Sequence, residues 1–68
     1  MKVDVYSYSE GAEKRVADKR YLDEAIEHFS EKKMDDTALD RAYEAARKEI
    51  VRTGRYWLAQ DIMFMRAR

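Results

Sequence analysis

Ten residues near the end of this 68-residue chain, Tyr56 to Met65 (YWLAQDIMFM), place seven large apolar side chains in one short segment. A chain of this size buries only ~60% of the surface it exposes when unfolded, so a large apolar tail competes for a small interior. Small domains usually meet this difficulty with a disulfide, a metal or a partner subunit. The chain has no Cys and one His, His28, which argues against a disulfide and against a structural zinc site. Part of the tail is therefore expected to wait for another surface. Tyr56, Trp57, Leu58, Ile62, Met63, Phe64 and Met65 are the candidate protein interface, and a homodimer is the expected assembly.

Residues 1–68 read as a single small domain, without Pro, a linker, a low-complexity tract or an internal repeat. Val3, Val5, Tyr6 and Tyr8 are strand formers, and Ser9-Glu10-Gly11 punctuates their end, so a strand is expected over 2–8. A strand cannot satisfy its own backbone groups and must pair with the C-terminal segment or with its copy in a second subunit.

Residues 12–17 (AEKRVA) favour helix by propensity, and Tyr21, Leu22, Ala25, Ile26 and Phe29 then recur at three- and four-residue spacing. Together they predict a helix at about 12–32, with an irregularity near Asp18-Lys19. The next boundary is sharper. Asp35 suits a helix cap, Asp36 the first turn, and Met34 and Leu39 the two staple positions. Leu39, Tyr43, Ala46 and Ile50 form the stripe, and Gly54 suits a left-handed terminus, which predicts a helix over 36–53. The few residues between the two helices imply an antiparallel hairpin.

The tail admits two readings. Leu58, Ile62 and Met65 keep helical spacing, whereas Ile62/Phe64 and Met63/Met65 would make both faces of a strand apolar. The favoured fold is mainly α: an antiparallel helical hairpin, a C-terminal apolar helix and a short N-terminal strand. The alternative is an α+β chain of β-α-α-β order.

Net charge is zero, but the charges are segregated. Residues 21–40 hold seven acids against two lysines, a net of −5, and residues 41–68 hold seven bases against three acids, a net of +4. Two opposed segments in one packed helix pair account for this without a partner. Arg47, Lys48, Arg52 and Arg55, beside Tyr56 and Trp57, are candidate nucleic-acid contacts, with Arg66 and Arg68 extending the patch. The order strand, helix, helix resembles ribbon-helix-helix dimers, in which paired N-terminal strands enter the major groove. That resemblance implies a small DNA-binding regulator reading through Lys2, Asp4, Tyr6 and Tyr8. Asp4 and the length of the first helix depart from it.

Catalytic and metal chemistry find little footing. His28 stands four residues after Glu24 with no nucleophile in view, and DDTALD lacks the alternating ligands and Gly turn of a calcium loop. Gly11 and Gly54 are the only glycines, so no phosphate loop exists. No catalytic, cofactor-binding or metal residue is expected. No run approaches the ~20 apolar residues of a membrane span, and no leader is expected, so the chain reads as cytoplasmic. The favoured function is a small non-enzymatic regulator or accessory protein acting through protein–protein contacts. Compact chains of this kind are common in phages and mobile elements.

Overall fold

The computed structural model describes residues 1–67. The chain runs β1 (Lys2–Ser9), β2 (Ala12–Tyr21), α1 (Leu22–Phe29), α2 (Asp36–Thr53), β3 (Arg55–Ala59) and β4 (Ile62–Arg66). The strands form one antiparallel sheet in the order β2-β1-β4-β3. The fold is therefore α+β, not the mainly α arrangement expected from periodicity. The tail is a hairpin of two strands rather than an apolar helix. The pairing anticipated between residues 2–8 and the tail is present as β1 with β4, where Val5 faces Phe64 and Tyr6 faces Met63.

Two turns make this sheet possible. Glu10 and Gly11 both take positive φ, 52° and 77°, the two-residue conformation whose twist matches that of the flanking strands. The chain therefore folds straight back at Ser9–Ala12, and residues 12–21 pair with β1 instead of starting a helix. The helical propensity of AEKRVA amounts to tenths of a kcal/mol per residue, roughly the ≲0.7 kcal/mol range of ordinary residues, and pairing overrides it. The second turn, Gln60–Asp61, has no positive φ, and the register slips between Trp57 and Ala59 to accommodate it.

The expected irregularity at Asp18-Lys19 lies in a strand. Lys19 has φ +49°, and its N–H donates to the Asp4 carboxylate at 2.9 Å. α1 is only eight residues long and begins where the apolar stripe begins. Its first N–H, on Leu22, is taken by the Met1 carbonyl at 3.0 Å, and Ser30 closes it on the Ile26 carbonyl. α2 has the expected bounds. Asp35 accepts the Ala38 N–H at 2.8 Å, and Gly54, at φ +90°, donates to Ile50 at 2.7 Å.

Both helices pack on one face of the sheet. Val3, Val5 and Phe64 meet Leu22, Ala25, Ile26, Ala46 and Ile50 in a fully buried cluster, bordered by Met34, Leu39, Tyr43, Tyr56, Leu58 and Ile62. Because strand side chains alternate, the other face carries the remaining half of each strand. No element among the described residues covers that face.

Candidate functional site: the open face of the sheet

Strand alternation divides the candidate interface in two. Tyr56, Leu58, Ile62 and Phe64 point to the helices and take part in the core. Trp57, Met63 and Met65 point the other way, so the structure does not bring all seven residues to one surface. Phe64 is fully buried, Ile62 half-buried, and Trp57 46% exposed.

Register places further residues beside the outward three. Across the sheet, Arg15 on β2 faces Tyr6 on β1, Tyr6 faces Met63 on β4, and Met63 faces Trp57 on β3. A second row runs from Asp4 through Met65 to Arg55. Beyond the first row, Tyr8 faces Glu13, and its ring lies 5.1 Å from that of Trp57 at an angle of 44°. At the far corner Lys2 Nζ lies 5.1 Å above the Tyr21 ring.

Met63 is only 2% exposed although it belongs to the uncovered face. Its neighbours in the row, Tyr6 and Trp57, with Tyr8 leaning on Trp57, do what a second layer would otherwise do. The centre of the face is thus aromatic and thioether, a combination of rigid and adaptable surface common at protein contacts. Its charges, Lys2, Arg15 and Arg55 with Asp4 and Glu13, are mixed in sign. The Tyr8 phenol is held above its ordinary pKa, first because its setting is partly dehydrated and second because Glu13 stands beside it.

The four candidate nucleic-acid contacts separate as well. Arg47 bonds Glu44 at 3.2 Å, Arg52 bonds Glu49 at 2.7 Å, and both, with Lys48, belong to α2 in the helix layer. Arg55 faces Met65 and so belongs to the open face. Arg66 faces Val3 on the helix side, and Arg68 lies outside the described residues. The strand that a ribbon-helix-helix dimer would pair across its two-fold, β1, is already bonded on both sides, to β2 and β4.

His28 is exposed on α1, its ring edge-on to Phe29 at 4.8 Å. It lines an open groove with Val16, Arg20, Glu24 and Phe29 between β2 and α1. No group of three or more potential ligands stands together among the described residues. No helix among them is long and apolar enough to cross a membrane.

Tyr6, Tyr8 and Arg15 are members of the open face that the tail-centred reading left out of the interface. The alternation in KVDVYSYS already put Lys2, Asp4, Tyr6 and Tyr8 on one side of a strand. What it lacked was the partner strand that joins them to Trp57 and Met63. The chain matches no protein-family model, no curated protein and no solved structure.

Proposed function

We propose that this chain is a small non-enzymatic regulatory or accessory protein that works by contact with another protein, and that its working surface is the open face of the sheet. The observation that carries this reading is the row Tyr6–Met63–Trp57. It is an aromatic and Met cluster separate from the main core, at the middle of a face that nothing among the described residues covers. Aromatic anchors ringed by Arg and by acids form the usual anatomy of a protein contact.

Two further observations support the choice of partner and of mechanism. Lys2, Arg15 and Arg55 share the face with Asp4 and Glu13, a balance that suits a protein surface better than a phosphate backbone. Three acids in the helix layer have structural work: Asp35 caps α2, and Glu44 and Glu49 hold arginines.

A photo-crosslinking residue at position 57, compared with one at position 51, tests the reading in the cells that make the protein. Val51 is 58% exposed on α2, in the other layer, and serves as the control. Defined protein adducts are expected from position 57, lost when Met65→Asp is added, and absent from position 51. Equal labelling from both positions, or none from 57, contradicts the reading.

A further inference from the structure

We infer that the occupant of the open face is a second copy of this chain, stacked sheet against sheet about a two-fold axis parallel to the strands. The inference rests on the reading of the open face as the working surface and names its partner.

The edges of the sheet are closed to strand addition, which leaves the face. β2 carries Glu13, Lys14, Arg15, Asp18, Lys19 and Arg20 along ten residues, with two register shifts and a left-handed Lys19. Charge and bulges of this kind keep an edge from pairing. β3 has five residues. The Arg66 N–H bonds the Gly54 carbonyl, so by alternation Tyr56 pairs inward and the backbone groups of Arg55 and Trp57 point outward. Those of Arg55 are partly engaged: the Thr53 hydroxyl accepts its N–H at 3.4 Å and shares its single proton between the Arg55 and Glu49 carbonyls, each at 2.9 Å. Trp57 is left as a one-residue template before the register slips.

The open face is small for a pair. Strands of 8, 10, 5 and 5 residues, at ~3.3 Å per residue and ~4.8 Å apart, give it an outline of about 440 Å², below the ~800 Å² that a standard interface takes from each partner, so the pair is of the weaker, concentration-dependent kind.

The face is self-complementary under this axis and not under the alternative. A two-fold parallel to the strands sets β2 over the partner's β3 and β1 over its β4. Arg15 then meets the partner's Trp57, Tyr6 meets the partner's Met63, and Asp4 comes down beside the partner's Met65 and Arg55. Each contact occurs twice, and the first sets a guanidinium on an indole face. A two-fold across the strands would instead set the charged β2 over β2 and, with its axis through this row, Arg15 on Arg15.

Sedimentation equilibrium of the full chain is expected to give twice the 8.1 kDa of the monomer. Met65→Asp should return a monomer with unchanged far-ultraviolet circular dichroism, and Val51→Asp should leave the dimer intact. Arg15→Glu, on an exposed side chain where folding is not at stake, should weaken association by about tenfold. Because the chain has no Cys, engineered ones report the geometry directly. Arg15→Cys mixed with Trp57→Cys should yield the 15–57 disulfide between chains. A dimer cross-linking only 57 to 57 points to edge pairing and overturns the stacked arrangement. An 8.1 kDa species at every concentration overturns the second copy altogether, while adducts of position 57 with a different protein would still uphold the open face as the working surface.

Discussion

The rings of Tyr8 and Trp57 meet 5.1 Å apart across the end of β4, and with Tyr6 they shut Met63 away from solvent on a face without a second layer. Replacing Trp57 by Ala removes the aromatic contact and opens Met63, at a cost of about 1–2 kcal/mol. Phe64→Ala, in the main core, should cost about 3–5 kcal/mol. Urea denaturation of the two variants compares them. Equal losses would mean that the outer cluster is part of the core rather than a surface built over it.

The Tyr8 phenol carries a pH dependence of known sign. Partial dehydration and the adjacent Glu13 raise its pKa in the folded chain, so the native state holds this proton more tightly than the unfolded chain does. Its contribution to stability is complete below the ordinary tyrosine value of ~10 and is lost as pH climbs through the raised value. An ultraviolet titration of tyrosinate should show a late step that is absent in Tyr8→Phe. A late step that survives this substitution would assign the effect elsewhere.

The two ends of α2 should respond independently. Asp35→Ala removes the acceptor of the Ala38 N–H and should cost about 1 kcal/mol. Gly54→Ala meets no atom within 4 Å, so its cost is backbone strain alone, about 1–2 kcal/mol at φ +90°. The double variant should lose the sum, read from denaturation midpoints. A strongly non-additive result would mean that the helix frays as one unit.

The basic residues should divide by layer. Changing Arg47, Lys48 and Arg52 together to Ala should leave crosslinking from position 57 unchanged, whereas Arg55→Ala should reduce it several-fold. The reverse pattern would shift the working surface to α2.

How much of this was legible depended on where each signal resides. α2 could be read to the residue because its cap, staple and terminus are local chemistry: Asp35, Met34 with Leu39, and Gly54. β1 was legible from alternation, and the stripe marked α1, although the helix expected over 12–32 forms only over 22–29. β2 was not, because an edge strand that turns only Ala17 towards the core has no periodicity of its own, and its identity lies in its pairing with β1. Glu10 gave no warning of a positive φ, so the turn that reverses the chain looked like a strand end. In the tail, Leu58, Ile62 and Met65 fit a helix by coincidence of spacing, while the two apolar faces of Ile62/Phe64 and Met63/Met65 had the physical meaning. One face enters the core, and the other contributes to the site. The open face was half visible in Tyr6 and Tyr8, and it became a candidate site only once topology placed β4 between them and Trp57.

Methionine oxidation reads whether the open face is covered where the protein works. Met65, on the open face, and Met1, at the start of the chain, are equally exposed at 37%, so each is the other's control. A hydroxyl-radical pulse on dilute purified protein, and again on protein at its working concentration inside cells, gives the ratio of Met65 to Met1 oxidation in both settings. The ratio should be near one when dilute and fall several-fold in cells, with Met63 protected throughout. A ratio that stays the same would show that the face remains bare where the protein works and is not its contact surface.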